Sequence, residues 1–429
     1  MAVARGGTLF VDRFKTAFDD KPTLWINVAR VSAIVAAVGV LYSPTVASVA
    51  LISTYVAFVA SGQAVVRFTQ VFDRPAVYWG VVFLGVVLIG MTYASAPWSD
   101  RWNDVFKWRT MLWFFVLLSI FGDERWKVRL MVTFIVGAAV GLMGSFAGAT
   151  GWVTLWRGPT DLLRNHVTQG MTFAVAVLIC LWMVLEWRAQ GRMRWIWSGL
   201  GALFAFNVVF VTTSRSAYVV LGLGFSVLLL WNARPVQRLM IVLGLPVVVM
   251  LVLAISPRMQ ERITLGMTEW SQTSESKDLT SMGLRRVFYQ HALEIVEAHW
   301  LFGVGTGGFK QAYIESIANK YDPSDWRAKP TGDPHNQYLA VLVQHGIGGL
   351  AVFLVWIIAI ARDKCGLPKY RKLALAILCG WSVTSLFSSH FRTFAEGHLL
   401  ATFLGALLSA APLQDQAEVA RKKLAQPSW

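Results

Sequence analysis

His335 and the arginines Arg215, Arg285 and Arg286 are the side chains of this 429-residue chain best suited to chemistry. A neutral imidazole accepts a proton, the requirement for a general base. Guanidinium groups bind phosphate oxygens two at a time and keep their charge at any relevant pH. Arg215 follows Ser214, a helix-capping residue type, and Arg285 and Arg286 open an amphipathic stretch. Helix N-termini add backbone donors for the same anion. A base among several guanidiniums suits a lipid-linked diphosphate as leaving group, with arginine supplying what a metal ion supplies elsewhere. Asp333 fits an N-cap and Pro334 a first helical position, so His335 is expected in the first turn of an apolar helix. There the helix dipole favours neutral imidazole. Alone, the histidine would better fit plain hydrogen bonding at an interface; the arginines tip the balance.

These side chains need a scaffold, and composition says which kind. The chain is 55% hydrophobic and 15% charged, with 20 Trp and a mean hydropathy of +0.52. Soluble domains carry about 25% charged residues, so the expected class is an all-α polytopic membrane protein. A net charge of +15 does not mark a nucleic-acid binder, because the basic residues punctuate apolar segments instead of gathering on a polar face. Membrane lipids are their natural partners. Cys180, Cys365 and Cys379 have no CxxC spacing, so neither a disulfide framework nor a zinc site is indicated. The first 22 residues lack a short apolar core with a cleavage site, so the first apolar segment is expected to stay as an anchor.

About 20 apolar residues cross a hydrocarbon core of about 30 Å. By that measure about 12 transmembrane helices are expected, at 24–42, 45–61, 78–95, 107–121, 130–149, 167–187, 196–212, 215–232, 239–256, 336–361, 373–390 and 398–412. Residues 1–256 carry the first nine, 257–335 form a long polar loop, and 336–429 carry the last three with a tail. With both termini cytoplasmic, short inner segments hold 22 Lys and Arg against 7 in short outer loops. That asymmetry sets the orientation and faces the long loop outward, which in a Gram-negative cell is the periplasm. Positive charges there run against the rule, so Arg164, Arg215 and Arg392 join the loop's nine basic residues as candidates, beside Arg157. Snorkelling to head groups is the alternative for each. Arg30 is the one plainly buried charge in a span.

Within the loop, the periodicity of Leu284 to Trp300 predicts a helix ended by Gly303-Val304-Gly305-Thr306-Gly307-Gly308-Phe309. The glycines do not form a nucleotide loop. Phe309 stands where a Walker motif needs Lys, a helix precedes it, and it faces away from ATP. They read as a tight turn for close backbone packing. Asp322 and Asp325 lack the companions of a metal site, and no metal is expected. His390, Arg392 and Glu396 form a further outward cluster, read first as a salt-bridged loop.

Three ordered pieces carry a resemblance: Thr213-Ser214-Arg215-Ser216-Ala217; Arg285 with Ala292-Leu293 and Leu301 to Phe309; and Pro334-His335-Asn336-Gln337-Tyr338-Leu339. Together they resemble the O-antigen ligase and polymerase superfamily of bacterial envelope enzymes and span about a third of the chain. The resemblance implies a metal-independent, cofactor-free glycosyltransferase of the bacterial inner membrane. Its donor would be a glycan on undecaprenyl diphosphate. A ligase would transfer it to a sugar hydroxyl of the lipid A core, a polymerase to another lipid-linked repeat, and a protein O-oligosaccharyltransferase to protein. Carried over, Arg215 and Arg285 bind the diphosphate and His335 is the base on the acceptor hydroxyl. Arg286 departs from the single arginine expected, so either of the pair is the candidate. Arg164, Asn336 and Arg392 are further donor or acceptor contacts. A long basic loop suits an acidic, phosphate-bearing core, which favours ligase. A flippase is the competing reading from another class, but here the charges gather at one surface.

Overall fold

A computed structural model of the chain describes residues 21–155, 158–186, 190–271, 281–322, 324–364 and 366–410. Arg157, Lys277, Cys365 and the two chain ends lie outside the described residues. The protein is an all-α multi-pass membrane protein, with no strand among the described residues.

A helix occupies every stretch whose hydropathy predicted a span. In order they are α1 (Lys21–Tyr42), α2 (Pro44–Ala60), α3 (Ala64–Phe72), α4 (Pro75–Tyr93), α5 (Trp98–Lys107), α6 (Arg109–Ile120) and α7 (Glu124–Ala149). There follow α8 (His166–Leu185), α9 (Arg192–Phe210), α10 (Arg215–Asn232) and α11 (Pro235–Ile255). The loop contributes α12 (Pro257–Ser271), α13 (Ser281–His299) and α14 (Phe309–Ile317), and the chain closes with α15 (Gln337–Arg362), α16 (Pro368–Thr384) and α17 (Phe394–Leu408). Proline opens α2, α4 and α16, where the missing N–H needs no partner.

Seven of these, α1, α4, α7, α8, α9, α10 and α15, are long and apolar enough to cross a membrane. The pair α2 and α3, bent by 98° at their break, would make an eighth if counted as one span. Helices α6 and α17, with 12 and 15 residues, are shorter than the hydrocarbon core at about 1.5 Å per residue. Both are buried along most of their length, so neighbouring helices rather than lipid surround them. Val46, Val49, Ile52, Val56 and Val59 of α2 are exposed, the pattern of a lipid-facing helix.

One end of the bundle is locked by charges that satisfy backbone carbonyls. Lys127 Nζ donates to the carbonyls of Ala406, Leu407 and Ser409 at 2.6–3.1 Å. Arg74 pairs bidentately with Asp363 at 2.7 and 3.0 Å and also caps Leu408. Arg30 donates to the Ile120 carbonyl at 2.7 Å, so it ends α6 rather than facing lipid.

The other end carries the loop. Phe288, Ala292 and Ile295 of α13 and Phe309, Tyr313 and Ile317 of α14 form a small apolar core with Leu339 and Val343 of α15. The glycine run does provide the close backbone approach expected of it. Helix α15 breaks at Gly346 (φ 64, ψ −168), which frees the carbonyls before it. Val304 N then donates to Val343 O and Gly305 N to Gln344 O, both at 2.9 Å, while Ile347 N donates to Trp300 O at 2.9 Å. Thr306 fastens the same loop to α4 through the carbonyls of Val87 and Gly90.

Candidate active site

The turn before α15 differs from the sequence expectation. Asn336, not Asp333, is the N-cap: its Oδ1 accepts from Tyr338 N and Leu339 N at 3.0 and 3.1 Å. His335 therefore stands outside the helix, in the left-handed region at φ 54, rather than in the first turn. The cause is competition for Asp333. Its Oδ1 accepts from the His335 backbone N–H at 2.8 Å and from Ser389 Oγ at 2.7 Å, and Oδ2 accepts from Arg392 at 3.2 Å. A side chain so engaged is not available to cap, and the next capping residue takes over.

The imidazole of His335 stacks on Phe288 of α13, with ring centroids 5.8 Å apart. Desolvation there lowers its pKa from the ordinary value; the Asp333 carboxylate opposes this, and Arg285 and Arg392 reinforce it. The neutral ring expected from the sequence is thus favoured, by packing against Phe288 and by nearby guanidiniums rather than by a helix dipole, although the residue is exposed overall. Tyr289, one residue on, directs its hydroxyl to the carbonyls of His335 (3.2 Å) and Leu386 (2.9 Å).

Helix α13 also presents Arg285. Its Nε donates to the Phe387 carbonyl at 3.1 Å, which holds it against the loop between α16 and α17. The charge of Arg285 bears on His335, His390 and Tyr289. Arg286 is half-buried on the next flank of the helix. His390 lies in that same loop, buried, with neither ring nitrogen hydrogen-bonded. Burial pushes its pKa down to about 4 against the opposing charge of Glu396.

A chain of charges that sequence reasoning missed ties this turn to the bundle. Asp104, at the end of α5, is 3% exposed and accepts from Arg392 Nη1 at 3.0 and 3.2 Å and from Lys107 at 2.8 Å. Burial alone would raise the Asp104 carboxyl, but Arg392 and Lys107 outweigh it and hold the pKa below the usual range. Arg392, itself 3% exposed, therefore bridges Asp104 and Asp333. The only signal in the sequence was an acidic residue just before an apolar run on a surface dominated by basic ones.

The remaining candidates sit on α8 and α10. Asn165 caps α8 through Thr168 N at 2.8 Å, and Thr168 donates to Glu396 of α17 at 2.6 Å. Arg164 is tied by its backbone N–H to Leu41 O at 2.9 Å, with its guanidinium over the Phe394 ring at 5.0 Å. Arg215 opens α10, and Gly170 of α8 leaves room for Ser214 and Ala217 beside it. Asp333 and the loop after α16 thus link His335, Arg285 and Arg392, with Asn336 next to His335 in the chain. Arg164 joins them across a cleft of about 370 Å³ lined by Lys107, Asn165, Asp333, Arg392 and Thr393 to Glu396. Arg215 reaches the same end of the bundle through α8. Among the described residues, no three His, Cys, Asp or Glu side chains group as metal ligands.

A family model described as O-antigen ligase matches residues 200–354. The matched segment runs from α9 to α15 and contains Arg215, Arg285, His335 and Asn336, while Asp104, Arg164 and Arg392 fall outside it. The match supports the O-antigen ligase superfamily. No curated protein matches the chain.

Proposed function

We propose that the chain is a membrane glycosyltransferase of the O-antigen ligase type, acting at the periplasmic face of a bacterial inner membrane with both termini cytoplasmic. The observation that carries this reading is the His335 ring, stacked on Phe288 and within the field of Arg285, inside the segment that matches the family. The donor is a glycan on undecaprenyl diphosphate, and the acceptor is a sugar hydroxyl of the lipid A core.

In the proposed step the acceptor oxygen attacks the anomeric carbon as its proton passes to the His335 ring. The bond from that carbon to the diphosphate oxygen breaks, and the electron pair leaves on undecaprenyl diphosphate. Arg215 and Arg285 offset the charge that develops there, the term that dominates such displacements. One displacement inverts the anomeric configuration, and the arginines make a divalent ion unnecessary.

Complementation tests the reading. A host that lacks its own ligase but makes core and lipid-linked O-antigen should regain a lipopolysaccharide ladder, and lose it again with Arg215→Ala or His335→Ala. No ladder there, with extension of single-repeat core in a polymerase-deficient host instead, would make the chain a polymerase.

A further inference from the structure

On the reading of the chain as a ligase, we propose that the cleft between α8 and α17 is the acceptor subsite and takes a phosphorylated sugar, its phosphate against Arg164. At about 370 Å³ the cleft falls in the range of small-molecule sites, about 300–1,000 Å³. Its walls hold donors without acceptors. Arg164 Nη1, Arg392 Nε and Thr393 Oγ1 are all buried with no hydrogen-bond partner. Buried polar atoms are nearly always paired, so three around one cleft call for an oxygen-rich ligand.

The charges narrow the class. Arg392 is already shared between two carboxylates and Lys107 is paired with Asp104, whereas no carboxylate pairs with Arg164 among the described residues. Arg164 is thus the group for the phosphate, with Lys107 as a second cation at the rim. A bare phosphate would not explain the acidic groups beside it. Asp333 has both oxygens occupied, but Glu396 commits only Oε1, to Thr168. Its other oxygen suits a sugar hydroxyl, and the amide nitrogen of Asn165 a second. The cleft also adjoins the base, because Asp333 lines it and holds the His335 backbone N–H. With the donor diphosphate on Arg215 and Arg285, this side of His335 is left for the acceptor.

The test is binding by the full chain in lipid nanodiscs, with native lipid A core, chemically dephosphorylated core and undecaprenyl diphosphate as the three probes. The expected result is at least about tenfold tighter binding of native over dephosphorylated core, one charge-assisted contact's worth. Arg164→Gln should abolish that preference and leave undecaprenyl diphosphate binding unchanged. Arg164→Lys, which keeps the charge, should retain part of it. Equal binding of the two cores by the wild-type protein overturns the proposal without recourse to any variant. Loss of undecaprenyl diphosphate binding in Arg164→Gln also overturns it, assigning the cleft to the donor. A wild-type protein that prefers neither core yet restores the ladder sinks only this inference; one that restores no ladder sinks the ligase reading.

Discussion

Arg392 and Asp104, 288 residues apart in sequence, meet as a buried ion pair with Nη1 3.0 and 3.2 Å from the two carboxylate oxygens. The pair is not an isolated staple. Arg392 reaches on to Asp333, which fixes the backbone of His335, so a helix far up the chain sets where the candidate base stands.

Asp104→Asn should therefore damage the site as well as the fold. Removing one partner of a buried pair costs about 3–5 kcal/mol, because the other charge is left uncompensated. Thermal unfolding in detergent should drop markedly, and transfer by the surviving folded protein should fall as His335 loses its anchor. Asp104→Glu, which keeps the charge, should recover part of both. Unchanged transfer by Asp104→Asn would detach the pair from the site.

His335→Ala should lower transfer about 10²–10⁴-fold, the usual contribution of a general base, while the protein remains folded. The φ of 54 at this position also predicts that His335→Gly is no less stable than His335→Ala, since glycine accepts that backbone freely. Near-normal transfer by either variant would remove His335 from the mechanism.

The pH profile follows from the direction of the shift. His335 has a folded pKa below its ordinary value of about 6.5, so its neutral form is fully present above that pH. The stability from this group declines as pH falls from about 6.5 through the lower folded value, whereas base function fades only at that lower value. His390, pushed to about 4, contributes in the same sense. Transfer should be flat around neutrality, with an acid limb clearly below about pH 6.5. A midpoint at or above that value would contradict the assignment.

Gly346→Ala should abolish accumulation of folded protein, because a Cβ there would collide with the Leu301 carbonyl in a backbone already at φ 64. Gly348→Ala, two residues on with open space around it, is the matched control and should be tolerated. Immunoblots of membrane fractions would decide, and equal levels of the two variants would refute the packing argument.

The helices were legible because an apolar run of sufficient length has little choice but to form one. Their termini were less so. The amphipathic run from Leu284 identified α13, yet nothing in it showed that Arg285 would donate to the carbonyl of Phe387, about a hundred residues away. His335 was expected in the first turn of α15 and stands instead just before its N-cap. Two capping residues, Asp333 and Asn336, lie three apart, and only the tertiary partners Ser389 and Arg392 show which is otherwise engaged. Asp104 was overlooked because an ion pair across the bundle leaves no local periodicity.

The break at Gly346 also determines what counts as a separable part of this protein. The carbonyls of Val343 and Gln344 find their donors only in the glycine run, and an unpaired carbonyl in the apolar interior costs several kcal/mol. Loop and helix must therefore be inherited together. A chimera that exchanges the outer loop alone, however well its ends are joined, leaves a foreign backbone against a broken helix. Any exchange must carry at least residues 281–362, the surface platform and the membrane helix it is bonded to, together with partners for Thr306 on α4 and for Asp333 in the loop after α16.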